Sequence, residues 1–338
     1  MSKLWCLSRI WAGTAALMAL TGCGTGAQSR PLVGLKYEPG QVEVVVFTQQ
    51  ESLSNWVEAP QEAVTGRSFR EKNVQVVLRR EVEGIALDGT IVMKVTIEEV
   101  EIVDERQAGD ARNWYRYVSN ETGTESSVEG EPPLAGIAYR VAMAANTTIK
   151  QIVGLDQVWI KLGVEKEAAG GFGLILDEDF IRTCHERGFL QAGVQKGQTV
   201  KRLAPVRNEL VAAKVKAWEK VYRLGKLMSV SQKEYLKASM QGDPATVLPA
   251  GWAEPRTIDL PWVQKGEIKE AIITGESLFD QESQQVLRDE ERMRFRLELS
   301  EEKMGAGQNT GQKMITTVDV NHKFEVRQQP GKGLTDGI

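Results

Sequence analysis

The sequence predicts an α+β protein, an antiparallel β-sheet-rich body with a helical insert, and three observations predict it. Apolar and polar residues alternate with a period of two in separate stretches near 74–102 and 293–326, as in strands with one buried and one wet face. Between them, over about 155–242, apolar residues recur three and four apart, the spacing of amphipathic helices. The regular alternation of strand and helix that a parallel sheet needs is missing. With 338 residues, 41% of them hydrophobic and 26% charged, the chain has ample material for a core. Those fractions exclude wholesale disorder, collagen and a disulfide miniprotein.

The elements begin with a leader. Residues 1–9 carry Lys3 and Arg9 and no acid, and an apolar run from Ile10 to Leu20 follows. That is the layout of a secretory signal, and the run is too short for a bilayer span of about 20 residues. It ends in Leu20-Thr21-Gly22-Cys23, which resembles the lipobox of bacterial envelope lipoproteins. The resemblance implies cleavage before Cys23, lipid on its thiol and amine, and membrane attachment without a spanning segment. Gly24, where aspartate often signals retention in the inner membrane, implies by the same resemblance delivery to an outer membrane if the cell has one. Removal of 1–22 discards two bases and no acid, which takes the formal net charge from −4 to −6. Residues 23–31 are small and polar, a lipidated tether with a reach of roughly 16 Å over about eight residues.

A first sheet-rich region is expected over 32–154. Val74, Val76, Leu78 and Val82 share one strand face, while Gln75, Arg79 and Glu81 share the other. Asp88-Gly89 reads as a tight hairpin turn leading into Ile91, Met93, Val95 and Ile97. The phase flips at Glu98-Glu99 to Val100 and Ile102, which predicts a bulge or a strand that leaves the sheet. Further strands are expected over 42–50, 114–118, 137–144 and 148–153, with Thr122–Pro133 as a loop.

The helical region of 155–242 starts from Asp177-Glu178-Asp179, a capped helix through Phe180, Ile181 and Cys184 that Gly188 would close. Pro205 would open a longer helix with the stripe Val206, Leu210, Ala213, Ala217, Val221, Leu224 and Met228. Ser231 and Glu234 form a capping-box pattern for a third helix ending near Gly242. A second sheet-rich region, 243–338, repeats the alternation at Met293, Phe295, Leu297 and Leu299 and again over 314–326. The regions 32–338 are compatible with one domain.

Chemistry-bearing residues are scarce. The chain has two histidines, His185 and His322, and three cysteines, of which only Cys184 survives processing unmodified, so no internal disulfide is expected. Cys184-His185-Glu186 suggests a catalytic thiol, but helix neighbours point about 100° apart, and Cys184 falls on the apolar face of Phe180. His185-Glu186 lacks the second histidine of a zinc-protease motif, and Asp177-Glu178-Asp179 lacks the spacing of a calcium loop. Gly170–Gly173 and Gly193–Thr199 miss the glycine and lysine positions of phosphate-binding loops. No catalytic, metal or cofactor residue is therefore nominated. His322 shares a face with Val318, Val320 and Phe324, so it is either a satisfied core histidine or the lining of a ligand cavity. Arg207, Lys214, Lys216, Lys220, Arg223 and Lys226 make the long helix basic, either a solvated face or a surface for anionic lipid. No basic block points to nucleic acid.

The Lys36-Tyr37-Glu38-Pro39-Gly40 opening, followed by long strands with an Asp-Gly hairpin, resembles envelope lipoproteins of uncharacterised function. Lipid-carrier lipoproteins, with a curved sheet over helices, are the nearest architectural analogy. These likenesses imply a non-enzymatic, exported and lipid-anchored protein that binds an envelope protein or an apolar ligand. The alternative is a membrane-tethered hydrolase using two carboxylates, for which acids are too abundant to nominate a pair.

Overall fold

A computed structural model describes residues 35–327 apart from 60–61, 167–168, 170, 194–196, 231–232, 246, 249, 251–253, 256 and 306–309. The expected signal peptide, Cys23 and the tether lie outside the described residues, as does Gly170. Thirteen strands form one antiparallel sheet: β1 (Val42–Ala59), β2 (Glu62–Ile85), β3 (Ile91–Ala108), β4 (Ala111–Asn120), β5 (Gly123–Ser126), β6 (Ala138–Met143), β7 (Ile149–Val153), β8 (Thr199–Pro205), β9 (Ala217–Val230), β10 (Lys233–Ala245), β11 (Glu267–Asp280), β12 (Gln285–Ser300) and β13 (Lys313–Arg327). Their order is β5-β4-β3-β2-β1-β13-β12-β11-β10-β9-β8, with β6 on β3 and β7 on β6. Among the described residues six short α-helices accompany them: α1 (Leu155–Leu162), α2 (Glu178–His185), α3 (Gly188–Gln191), α4 (Glu209–Ala212), α5 (Pro261–Lys265) and α6 (Glu301–Met304). A 3-10 turn spans Phe172–Leu176.

This architecture overturns the α+β expectation. The two sheet-rich regions belong to one sheet, joined where β1 pairs with β13, and the expected helical region of 155–242 itself contributes β8, β9 and most of β10 to that sheet, its helices being short. Pro205 ends β8 instead of opening a helix, and the expected long helix is replaced by the four-residue α4 and then β9. The Ser231 capping box falls at the β9–β10 hairpin, where residues 231–232 lie outside the described set. The three-and-four spacing was coincidental. Trp218, Lys220, Tyr222 and Leu224 are all buried, a period of two that Lys220 disguises. Within Thr122–Pro133, Gly123–Ser126 pairs with β4 as an edge strand instead of forming a loop. Gly188 does not close α2, which ends at His185 with Glu186 as its cap, but begins α3. There a Cβ would run into the Tyr222 ring and hydroxyl, so any larger residue would have to push the buried Tyr222 aside.

Other local expectations match. Ala86–Thr90 closes the β2–β3 hairpin, with Gly89 at φ 77° and the Thr90 N–H donating 3.0 Å to Asp88 Oδ1. The phase flip is a bulge: Leu78 faces Ile97 and Val77 faces Glu99, so Glu98 has no opposite residue. The bulge also marks a change of partner, since Ile91–Thr96 pairs with β6 and Val100–Ala108 with β4. Asp177 caps α2 by accepting from the Asp179 N–H.

One face of the sheet is wet and laced with exposed ion pairs, such as Arg140 with Glu83 and Arg294 between Glu270 and Asp319. The other face carries Phe47, Val76, Leu78, Met93, Tyr117, Phe295 and Val318, all buried. Burying a side chain of that size contributes about 1.5–3 kcal/mol. Residues 172–191 pack along this face from β4 to β8: Phe172 stacks on Tyr117 at 5.8 Å, Phe180 meets Phe47 edge-on at 5.2 Å, and Gln191 accepts from Arg202. Arg187 alone touches both Thr147, on the β6–β7 turn, and Asp289 of β12. Laid flat, the strands between them would separate those residues by about 24 Å, at about 4.8 Å per strand. No single residue spans that distance, so the sheet curls into a trough around the helices.

Candidate functional site: a buried ionic seam in the trough

Every second residue of an inner strand faces the trough, and several are charged. Glu43 is in phase with Val45 and Phe47, and opposite it stands Arg80, in phase with Leu78 and Val82. The two form an ion pair at 3.0 Å with both side chains about 4% exposed. Tyr37 donates to Glu43 at 3.3 Å, and burial raises its hydroxyl pKa far above the ordinary value. Arg80 Nη1 lies 3.4 Å from His185 Nδ1, and the Tyr139 hydroxyl lies 3.4 Å from Nε2. Because a guanidinium only donates, Nδ1 must accept, which assigns the proton to Nε2 and makes the ring neutral. Burial first, then the charges of Arg80 and Arg187, holds the His185 pKa well below its usual value.

Arg187 continues the seam. Its Nη groups donate to the carbonyls of Thr183 (3.2 Å), Glu186 (2.7 Å) and Cys184 (2.5 Å), a cation on the negative end of α2. The guanidinium carbon stands 3.4 Å from the Phe324 ring centre, a cation–π contact, and Arg80 approaches the same ring at 5.6 Å. Asp289, bonded by the Ser277 hydroxyl, lies 3.8 Å from Arg187 Nε, beyond hydrogen-bond range. Burial lowers the Arg187 pKa to about 10 and raises that of Asp289. Farther along, Lys220 pairs with Glu291 at 2.6 Å, and His322 faces Phe47 with ring centres 6.0 Å apart.

A cavity of about 10 Å³ sits in the seam, lined among others by Leu35, Tyr37, Arg80, His185, Arg187 and Phe324. Residues 35–41 strap its outer side: the Leu35 N–H reaches Ala145 O on the β6–β7 turn, and the Lys36 N–H reaches Gln284 O on the β11–β12 turn, both at 3.4 Å. A second hollow, about 460 Å³, lies against the wet face between Arg79, Glu81, Lys94 and the bulged Glu98 on one side and Asn120 and Gly136 on the other. It is open and polar.

Cys184 is buried and its thiol pKa is pushed up to about 12 by burial, so it forms no thiolate near neutrality. His185 points to Arg80 and Tyr139, and Glu186 accepts from Arg207, so the three neighbours serve different contacts. His322 is on the inner face but lines neither hollow, and burial lowers its pKa to about 4. The expected basic helix does not exist, and Lys220 points inward to Glu291. Among the described residues no cluster of histidine, cysteine and acids could hold a metal, and no helix is long and apolar enough to cross a membrane. Sequence reasoning missed Glu43, Arg80, Arg187 and Asp289. The signal was present for three of them: a charge in phase with an apolar strand face.

No family model matches the sequence and no curated protein matches it. Among solved structures it is similar to lipovitellin, in a study of lipid–protein interactions, at 9% identity and a TM-score of 0.45, over 89% of this chain and 27% of that one. It is also similar to a DUF1329 family protein from Desulfovibrio piger (7% identity, TM-score 0.12, 84% of this chain and 86% of that one) and to OccK7 (OpdD) of Pseudomonas aeruginosa (9%, 0.17, 84% and 99%). This chain therefore spans about a quarter of the lipovitellin chain. None of the three reaches a TM-score of 0.5, so function rests on the chain's own residues.

Proposed function

We propose that this chain is a bacterial envelope lipoprotein, anchored by lipid on Cys23, whose trough holds an apolar ligand. The supporting observation is the trough itself: a single sheet curls around an apolar inner face that, among the described residues, is covered by short segments, including α1 to α3, the 3-10 turn Phe172–Leu176 and the strap over 35–41. These segments are seated mainly by apolar side chains, among them Phe172, Phe180, Ile181, Phe189 and Leu190, so a ligand that takes their place on the sheet has to offer the same apolar surface. A binding role also suits the inner-wall chemistry, since Cys184 is held as a thiol and His185 as a buried neutral ring. The anchor reading rests on Leu20-Thr21-Gly22-Cys23, and Gly24 favours an outer-membrane destination.

The test is mass spectrometry of the full-length protein made in a bacterium. The mature chain should begin at Cys23 with two or three acyl chains, and Cys23→Ser should keep the 22-residue leader and lose the acyl mass. A mature terminus elsewhere, or no acyl mass, overturns the anchor. Organic extraction of the same preparation should release an amphiphile in near-stoichiometric amount, or the protein should take one up from phospholipid vesicles. Failure of both overturns the carrier reading.

A further inference from the structure

The two arginines of the seam have an unusual status. Arg80 and Arg187 are each at least 95% buried, both line the 10 Å³ cavity, and the Nε of each has no hydrogen-bond partner among the described residues. Leaving a buried charged donor unbonded is costly, and such groups in native proteins usually face a ligand, an ion or a water. The surrounding acids do not supply the missing acceptors. Glu43 is engaged by an Arg80 Nη and the Tyr37 hydroxyl, and Asp289 is bonded by Ser277 and stands too far from Arg187. The remaining neighbours, neutral His185, Thr147 and Gln285, add no charge to the cavity wall.

We infer that Arg80 and Arg187 form an anion site for the phosphate or carboxylate headgroup of an amphiphile whose apolar part lies in the trough, admitted when the strap over 35–37 lifts. This inference rests on the trough reading above. The cavity in its closed form is about the size of one water, so a phosphate group requires Leu35 and Tyr37 to move outward. Leu35 and Lys36 are held by backbone hydrogen bonds of 3.4 Å, and Tyr37 by Glu43 and its own burial, while Gly40 and Gln41 stay paired with Val82 as the fixed end of the strap. With their Nη groups engaged, the two arginines each keep one free Nε–H, so the pair offers two charge-assisted donors to one phosphate or carboxylate.

The test uses the full-length protein in dodecyl maltoside, a neutral amphiphile, titrated calorimetrically with dodecyl phosphate and separately with inorganic phosphate. Dodecyl phosphate should bind, and Arg80→Lys and Arg187→Lys, which remove the Nε–H donor but keep the charge, should each weaken it at least tenfold. Binding of inorganic phosphate as tight as dodecyl phosphate keeps the anion site, identifies free phosphate as its source and removes support for the trough reading. Dodecyl phosphate binding that is unchanged in both variants overturns the arginine site and leaves the trough reading standing. No binding of either anion overturns the site. Should the arginine variants fail to fold, Leu35→Gly, which removes a cavity wall and no charge, should speed association at least threefold, and an unchanged rate overturns the inference.

Discussion

The Glu43–Arg80 pair makes a sharp energetic prediction. At 3.0 Å and an effective dielectric of about 20, the attraction is about 5 kcal/mol, and both ions have lost their water. Glu43→Leu strands Arg80 against a neutral imidazole that cannot compensate it, while Arg80→Met strands Glu43 with only the Tyr37 hydroxyl. Each single change should cost about 3–5 kcal/mol, the usual cost of a buried charge deprived of its partner. The double variant replaces the pair by apolar groups of similar size and should lie within about 1 kcal/mol of the parent or above it, because two desolvation penalties disappear together. Urea unfolding followed by tryptophan fluorescence reads this directly. With a slope of about 3 kcal/mol per molar, each single variant should lower the midpoint by about 1–1.7 M and the double by under about 0.5 M. A double variant that falls by the sum of the singles would refute the account, since the residues would then be acting separately.

Two further outcomes follow from burial and charge. Phe295→Asp should abolish folding, because it deletes a fully buried ring, worth about 3–5 kcal/mol, and leaves a carboxylate among apolar neighbours. Arg294→Asp, one residue away on the wet face and 57% exposed, should cost about 1 kcal/mol, and equal damage on circular dichroism would mean both faces are covered. His322 gives a pH effect: its folded pKa of about 4 lies below the unfolded value of about 6.5, so the unfolded chain takes up the proton first. Stability should therefore be full above about pH 6.5, fall as pH drops towards about 4 and level off below. His322→Gln should flatten that part of the urea-midpoint profile, and an unchanged profile would show that the ring titrates normally.

How much was legible depended on whether a strand's pattern could be interpreted without knowing its neighbours. β2, β3 and β12 were legible because a wet face opposite an apolar one leaves a clean period of two. The bulge was legible too, because an extra residue shifts that period in view. β9 was not, because its inner face includes Lys220, whose partner Glu291 arrives from a strand 71 residues later. A lysine at an inner position resets the count and leaves Ala217, Val221 and Leu224 at helical spacing. β10 failed for a related reason. Gly242 stands on its inner face because Ile273 fills the space above it, so the position reads as a helix stop. The seam was half legible: Glu43, Arg80 and Asp289 each break an apolar face, but only the curl of the sheet shows that they converge on Arg187 and Phe324.

The pairing of β1 with β13 has a consequence for how the molecule comes into being. Gln49 lies opposite His322, so the central seam of the sheet joins residues separated by 273 positions, the difference of their numbers. The hairpins of either half can form early, from contacts close in the chain, but the middle cannot close until almost the whole body is free to move. Such topology slows folding and leaves a long strand edge open for pairing with other chains in the meantime. Under the proposed export from the leader, late closure is an advantage, because no half is complete while the last strand is still in transit. The same delay makes β13 the most damaging strand to truncate: its loss would leave β1 and β12 as two raw edges in the centre of the sheet.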